Sequence, residues 1–340
     1  MNLKKLSTWR TAAAAVGVLG LALSACSTTA SGSGEDDFPT EDIQLYLGYD
    51  TGGSADPLAR EYGRLLGEEL GVNVTIQNRP GGSGAVATTE VLGRDPDGYT
   101  IAVAPASQLT MTPILSSDAV SYSGPDDWTT LGGILEQQNG LMVRTDSGWA
   151  SLEDFIAAAK AAPGQLSVGV SSATGANAMG MASLMEVAGI DVKLVPFEGG
   201  AGEAAAALLG GHIDAMNGTL TGQLGMLQSG DLISLGHSGD LPYEPAESLT
   251  FDEQGYDLTS LGETTYYAYA PNDLPEDVFT ALTDAHQAVV TGDEFAEWLD
   301  TNGYVGHATT ADEAEDELRQ AAEDAQEGVD LLTNAGLDLG

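Results

Sequence analysis

Basic residues are scarce in this 340-residue sequence, which has 11 lysines and arginines against 51 aspartates and glutamates, a formal net charge of −40. A nucleic-acid-binding surface needs basic side chains to neutralise phosphates, and attachment to anionic lipid by charge needs them as well. Both classes of protein are therefore excluded, and nucleic acid is not an expected partner. The single cysteine excludes a disulfide framework and a cysteine-rich zinc site.

Signatures of catalysis and metal binding are also missing. The four histidines lack the spacing of a motif such as His-Glu-x-x-His, and no Gly-x-Ser-x-Gly elbow of a serine hydrolase occurs. Residues 82–87 fit a G-x-G-x-x-A dinucleotide pattern, but they follow the second predicted strand rather than the first. We therefore expect no metal, no cofactor and no enzymatic activity.

The N-terminus has the three parts of an export signal. Residues 1–25 combine a basic start, an apolar run of about twelve residues that is too short to span a bilayer, and a small-residue end. The run ends in Leu-Ser-Ala-Cys26, which looks like a bacterial lipobox with an acylated cysteine. The alternatives are a plain signal peptide or a buried free thiol. Residues 26–37 are small and polar, then acidic, as expected of a flexible tether.

This reading places the protein outside the cell's interior. We expect it to be extracytoplasmic and anchored to the outer face of the cytoplasmic membrane by a lipid on Cys26, since two or more acyl chains give stable anchoring. Removal of residues 1–25 takes away three basic residues and no acid, which leaves a formal charge of −43.

The body of the chain alternates between predicted strands and helices. At 340 residues it has room for about two domains, and 42% hydrophobic residues suffice for a core in each. Strand–helix alternation predicts an α/β fold with mainly parallel sheets flanked by helices, and ligands of such folds lie beyond the carboxyl ends of the strands. The predicted strands are 43–47, 72–76, 99–104, 168–170, 192–197 and 213–216. The predicted helices are 56–70, 152–161, 178–188, 203–209, 275–290, 294–301 and 310–332.

Three loops that follow predicted strands and open helices are poor in acids. Each offers small residues, hydroxyl groups and free backbone amides, which suit an anion at a helix N-terminus. Ordinary strand–helix turns are the alternative explanation for each loop taken alone. A donor from another predicted strand, Asn217, completes the candidate set. The candidate ligand-binding residues are Asp50, Thr51, Gly52, Gly53, Ser54, Ala55 and Asp56; Ser107; Ser171, Ser172, Thr174, Gly175, Ala176 and Asn177; and Asn217.

An ordered series of motifs over residues 43–335 resembles the Bug family of solute-binding proteins, which serve tripartite tricarboxylate transporters. The matching segments are Leu47-Gly-Tyr-Asp-Thr-Gly-Gly-Ser-Ala-Asp-Pro-Leu-Ala-Arg60, Asn78-Arg-Pro-Gly-Gly-Ser-Gly84, Asp95-Pro-Asp-Gly-Tyr-Thr100, Val195-Pro-Phe-Glu-Gly-Gly200 and Leu208-Leu-Gly-Gly-His-Ile-Asp214. The resemblance implies a two-lobed, type II periplasmic-binding-protein-like fold with two crossover strands. It also implies a carboxylate in the cleft, held by backbone amides and hydroxyls of the loops 51–56 and 171–177, partly through water.

On this basis we expect the first lobe to comprise residues 38–140 plus 261–340 and the second lobe residues 141–260. The expected partners are a small organic acid, such as a di- or tricarboxylate, and the membrane subunits of the transporter, and the chain is expected to be a monomer. A ligand-sensing lipoprotein that serves a signalling partner and an exported hydrolase are the alternatives from other functional classes.

Some positions depart from the family pattern. Family members usually have Pro, Ala or Ser at the position of Asp50, a histidine at that of Met179 and a lysine at that of Glu198. A carboxylate at position 50 would repel a bound acid unless it faces away or meets a cationic group on the ligand. An amino acid or another zwitterion is therefore an alternative ligand. Arg79 and Arg144, the basic residues nearest to the predicted cleft, are expected to be structural.

Overall fold

The computed structural model describes residues 38–52, 55–115, 120–197, 200–239, 243–258 and 263–337. The predicted signal peptide, Cys26 and the tether lie outside these residues, as do Gly53, Ser54 and Glu198. Within the described part of the chain, no helix combines the length and apolar character needed to cross a bilayer.

The first sheet has six strands in the order β11-β4-β10-β3-β1-β2. Strands β1 to β4 run in the same direction, while β10 is antiparallel to β3 and β4, and β11 is antiparallel to β4. The strands are β1 Ile43–Leu47, β2 Val74–Asn78, β3 Thr100–Pro105, β4 Trp128–Gln137, β10 Thr264–Pro271 and β11 Val305–Gly306. The helices are α1 Asp56–Leu70, α2 Ala85–Leu92, α3 Ala106–Thr110, α4 Thr112–Leu115, α9 Glu276–Val290, α10 Asp293–Asn302 and α11 Ala311–Asn334.

The second sheet has five strands in the order β7-β6-β8-β5-β9, and all but β5 run in the same direction. Two mainly parallel sheets flanked by helices confirm the predicted fold class. The strands are β5 Asn139–Arg144, β6 Ser167–Val170, β7 Lys193–Pro196, β8 Ala215–Thr219 and β9 Leu232–His237. The helices are α5 Leu152–Ala161, α6 Ala176–Ala188, α7 Ala201–Leu209 and α8 Leu220–Ser229.

The helix boundaries follow the local signals in the sequence. Ser151 caps α5 by accepting a hydrogen bond from the Asp154 amide, and Thr310 with Glu313 forms the predicted capping box of α11. The strands β4 and β5, in contrast, were expected only through the family resemblance. They are buried almost throughout, so neither shows the alternation of apolar and polar residues that identifies a half-buried strand.

Helix α11 contacts the apolar clusters of both sheets. Its residues Ala314 and Leu318 belong to a cluster on the first sheet. About two and four turns further on, Ala325 and Leu332 belong to a cluster that includes Met179 of α6, beside the second sheet. The division of the chain into lobes at the boundaries given above remains a prediction, and α11 extends along both sheets.

A buried tyrosine–histidine pair joins α1 to α9 on one face of the first sheet. The Tyr62 hydroxyl lies 2.8 Å from His286 Nδ1, and both residues have no exposed surface. Burial lowers the pKa of His286 to about 4, against the opposing effect of hydrogen bonds with the backbone at Gly133 and Thr309. The imidazole is thus neutral in the folded protein.

The neutral His286 makes stability depend on pH. Between pH 6.5, the ordinary pKa, and about pH 4, His286 is protonated in the unfolded chain but not in the folded chain. The contribution of His286 to folding stability is therefore complete above pH 6.5 and is lost as the pH falls. We expect this one residue to account for about 3 kcal/mol of unfolding free energy over that window.

The measurement is urea unfolding at pH 4 to 8 for the wild type and His286→Gln. The difference in unfolding free energy between the two should shrink steadily as the pH falls towards 4. His212→Gln, at an exposed histidine, is the matched control and should run parallel to the wild type. Parallel curves for His286→Gln would contradict the assignment.

Candidate functional site

The carboxyl-terminal edges of the two sheets adjoin at one residue. Strand β4 runs parallel to β3 and ends at Gln137 on that edge of the first sheet, because both strands are antiparallel to β10. Strand β5 is antiparallel to β8, so its first residue, Asn139, lies on the same edge of the second sheet. Only Gln138 separates them. Loops that follow parallel strands of both sheets therefore lie on adjoining edges.

Two contacts support this arrangement. The Asn139 side-chain amide donates to Thr264 Oγ1 at 2.9 Å, which ties the start of β5 to the start of β10. Met111, which lies between α3 and α4, shares an apolar cluster with Val170 and Ala176 of the second sheet. The segment after β3 and the segment after β6 thus contribute to one apolar cluster.

The loop between β1 and α1 is shaped by the carboxylate of Asp56. The pair Asp56-Pro57 suggests from the sequence that Asp56 caps the helix, but Ala55 is the N-cap and Asp56 is the first helical residue. Its carboxylate accepts hydrogen bonds from the Gly52 amide at 3.0 Å, from Arg60 Nε at 2.8 Å and from Asn78 Nδ2 at 3.2 Å. The Gly52 amide and the Asp56 side chain are therefore engaged within the loop rather than presented outward.

Charge and hydrogen bonding both act on Asp56. Asp56 is only 5% exposed, and desolvation alone would raise the pKa of its carboxyl group. The hydrogen bonds from Arg60, Gly52 and Asn78, together with the Arg60 charge, outweigh that effect and hold the pKa below its ordinary value. Asp56 stays ionised near neutral pH. Asp50 and Thr51 are exposed, and the Thr51 hydroxyl donates to Asn78 Oδ1 at 3.1 Å.

The Gln108 side chain links α3 to the start of α2. Its Nε2 donates to the Gly84 carbonyl at 3.2 Å and to Thr88 Oγ1 at 2.9 Å, next to the half-buried Ser107. A Cβ at Gly84 would lie 2.0 Å from Gln108 Oε1, and Gly84 has a φ of +91°, so only glycine fits there. Sequence reasoning placed Gln108 in the loop but did not assign it this role.

The loop between β6 and α6 carries the hydroxyl groups of the second sheet. Ser171, Ser172 and Thr174 are half-buried, and the N-cap residue Gly175 provides no side-chain cap. The first intrahelical bonds are those from the amides of Ala178 and Met179 to the Gly175 carbonyl. The amides of Ala176 and Asn177 therefore have no intrahelical partner and mark the positive end of the helix dipole.

Asn217 lies beneath this helix start, but not as the donor that the sequence suggested. Its Nδ2 already donates to the Asn177 carbonyl at 2.6 Å, and the Asn177 side-chain amide in turn donates to Ser171 Oγ. Asn217 is 1% exposed. What it presents beyond this bond is an oxygen, so it is an acceptor where a donor was expected.

Arginine side chains in the described residues are paired with carboxylates. Arg79 Nε contacts Glu90 and its guanidinium lies over the Tyr46 ring, while Arg144 Nε contacts Asp146. Both therefore have the structural roles expected of them. The other pairs are Arg60 with Asp56; Arg64 with Glu61, Glu68 and Glu294; Arg94 with Glu90; and Arg319 with Asp126 and Glu315. Lys193 begins β7 and so lies at the opposite edge of the second sheet.

A cavity of about 330 Å³ lies away from these loops, around Trp128, Phe279 and Arg319. Trp128 begins β4, so the cavity is at the amino-terminal edge of the first sheet. It does not overlap the candidate site. No group of three potential metal ligands occurs in the part of the chain that the structure describes.

The family is decided by comparison with known proteins. A family model described as the tripartite tricarboxylate transporter family receptor matches residues 58–337. The chain belongs to this family. The family resemblance inferred from the motifs is thereby confirmed, and so is the expectation of a binding protein rather than an enzyme.

Individual relatives are distant. A UPF0065 protein from Cupriavidus necator is 32% identical over 203 residues, which is 59% of each chain. A UPF0065 protein from Bordetella pertussis is 27% identical over 278 residues, 81% of this chain and 84% of the relative. The chain thus matches only about three fifths of the first relative's length.

Solved structures of periplasmic binding proteins share this fold of two sheets flanked by helices. A periplasmic transporter is 25% identical with a TM-score of 0.77, covering 86% of this chain and 97% of that one. A Rhodopseudomonas palustris protein solved with adipate is 22% identical with a TM-score of 0.78, covering 87% and 99%. MatC from the same species, solved with malate, is 19% identical with a TM-score of 0.73, covering 86% and 100%.

The Asp56 carboxylate should determine the conformation of the β1–α1 loop. In Asp56→Ala, the Gly52 amide loses its acceptor, so we expect faster hydrogen exchange there and an unfolding free energy lower by about 1–3 kcal/mol. The matched control is Asp154→Ala, because Asp154 also accepts from an amide four residues earlier, that of Ala150, but at an exposed helix start. The control should leave exchange at Gly52 unchanged, and unaltered exchange in both variants would refute the role of Asp56.

Proposed function

We propose that this receptor captures a small carboxylate between its two lobes, residues 38–140 plus 261–340 and residues 141–260. The observation that carries the proposal is the start of α6. It is a helix N-terminus without a side-chain cap, lined by hydroxyl groups, on the edge of the second sheet that adjoins the first. Such a site offers amide donors and a positive dipole to an anion.

The ligand would be held by dipoles rather than by cations. The arginines of the described residues are paired with carboxylates, so recruiting one of them would break an existing ion pair. Hydrogen bonds to a charged group contribute about 1.5–3 kcal/mol each. About half a dozen, after the cost of ordering, suffice for the roughly −8 kcal/mol of micromolar binding.

The candidate loops divide the ligand contacts between the lobes. In the first lobe we assign ligand contact to Ser107 and to the loop 50–56, apart from its Gly52 amide and Asp56 carboxylate, which bond to each other. In the second lobe we assign it to the loop 171–177, with Asn217 as an acceptor. A ligand that touches both sets favours the closed form over the open one, because only the closed form satisfies both. The membrane subunits of a tripartite tricarboxylate transporter would then accept the ligand from the closed form.

Relatives make the carboxylate class a reasonable choice. Two proteins of the same fold from Rhodopseudomonas palustris were solved with adipate and with malate, both dicarboxylates. At 22% and 19% identity they share the fold alone with this chain. They support the class of ligand and leave the particular acid to be measured.

Calorimetry of the full chain against a panel of di- and tricarboxylates and amino acids tests the proposal. At least one carboxylate should bind with a dissociation constant in the micromolar range. Thr174→Val keeps the side chain's shape and removes its hydroxyl group, so the affinity should fall by about tenfold or more.

Thr280→Val is the matched control, because the Thr280 hydroxyl group bonds only to its own helix at Glu276. This variant should bind like the wild type. Equal loss in both variants, or no carboxylate bound at all, would reject the site.

We also propose that the receptor is an extracytoplasmic monomer anchored to the outer face of the cytoplasmic membrane through lipidated Cys26, with residues 26–37 as the tether. Cys26→Ser removes the acylated thiol, so most of the protein should move from the membrane fraction to the soluble exported fraction. Ser27→Ala is the control and should stay with membranes. Membrane retention of Cys26→Ser would disprove the lipid anchor.

A further inference from the structure

The side-chain oxygen of Asn217 is a buried acceptor without a hydrogen-bond partner among the described residues. The orientation of this amide group is fixed, because Nδ2 donates to the backbone carbonyl of Asn177, which cannot itself donate. The other atom, Oδ1, therefore cannot exchange places with it. A buried acceptor without a hydrogen bond is destabilising. A ligand donor that bonds to it therefore contributes more binding free energy than a donor whose new bond only replaces a bond to water.

The Asn217 side chain contacts the start of α6. Asn217 Nδ2 donates to the carbonyl of Asn177, the second residue of α6, whose amide is one of the two without an intrahelical partner. The unpaired acceptor therefore belongs to a side chain that is hydrogen-bonded to the first turn of the helix. Two further buried oxygens on this edge, Asn177 Oδ1 and Thr219 Oγ1, also lack partners among the described residues.

A ligand that complements both features needs two groups close together. Its carboxylate faces the amides at the start of α6, and a hydrogen-bond donor a single carbon away faces Asn217 Oδ1. Hydroxyl and ammonium groups on the carbon next to a carboxylate meet this requirement. An unsubstituted acid presents only C–H groups to the same oxygen and leaves it unsatisfied.

We infer that the receptor is selective for 2-hydroxy- or 2-amino-carboxylates over the unsubstituted acids of the same length, with Asn217 as the residue that makes the distinction. The inference rests on the proposed function, since it assigns the ligand's carboxylate to the start of α6. Asp50 is exposed on the loop that the proposed function assigns to the ligand in the first lobe, and its carboxylate would favour the ammonium form within this class.

Two matched series of ligands test the selectivity on the full chain by calorimetry. The first is succinate, malate and aspartate, and the second is adipate, 2-hydroxyadipate and 2-aminoadipate. In the series whose length fits, a substituted acid should bind about tenfold or more tightly than the unsubstituted one. Equal affinities within twofold would overturn the inference while leaving the carboxylate function intact. Binding of no member of either series would reject the proposed function and the inference with it.

Variants of Asn217 connect the selectivity to this residue. Asn217→Leu should reduce the ratio between substituted and unsubstituted acids to about one. Asn217→Asp keeps an acceptor and adds a charge, so it should shift preference from the hydroxy acid to the amino acid, which a purely structural role would not do. Asn272→Leu is the matched control, because Asn272 also donates to a backbone carbonyl, that of Asp126, near the amino-terminal edge of the first sheet.

The control should keep the wild-type ratio. An unchanged ratio in folded Asn217→Leu or Asn217→Asp would overturn the assignment to Asn217. If neither variant folds, the wild-type ligand series still decides the selectivity.

Discussion

The passage of the chain from β4 to β5 through Gln138 is the constraint on which the site depends. Because β4 ends, and β5 begins, on the carboxyl-terminal edges of their sheets, a single residue brings those two edges together. Loops after parallel strands are where α/β proteins bind ligands. If the chain joined opposite edges of the two sheets, their loops would point away from each other, and no small ligand could contact both.

The charge of the chain decides how an anion can be held at these edges. A formal charge of −40 repels anions over long distances, and a cation placed in the cleft would attract the surrounding acids as well as the ligand. The described arginines follow this rule, since each is bound to one or more carboxylates. Backbone amides and hydroxyl groups cannot be neutralised in this way. They keep their direction and discriminate by geometry, which is why the orientation of a single amide group such as that of Asn217 matters.

Much of the fold could be predicted from the sequence, because its signals are local. Capping residues and apolar periodicity place α5 and α11, and the strand–helix order indicates two mainly parallel sheets. The roles of individual site residues were less accessible, because they depend on partners far along the chain. The sequence around Asp56 suggests a helix cap, but in the structure its carboxylate accepts a hydrogen bond from Asn78 at the end of β2. The sequence suggests Asn217 as a ligand donor, but in the structure its side-chain nitrogen already donates to the carbonyl of Asn177, 40 residues away.

Contacts outside the cleft limit how the two sheets can move. The Tyr243 hydroxyl and the Thr221 hydroxyl both donate to the carbonyl of Gly303, at 2.7 and 3.0 Å, and so tie the second sheet's helix α8 region to the turn after α10. Helix α11 contacts both sheets through its two ends. The closing motion proposed above would therefore either break the Gly303 contacts or rotate the sheets about an axis that passes close to them. The second kind of rotation would preserve these hydrogen bonds.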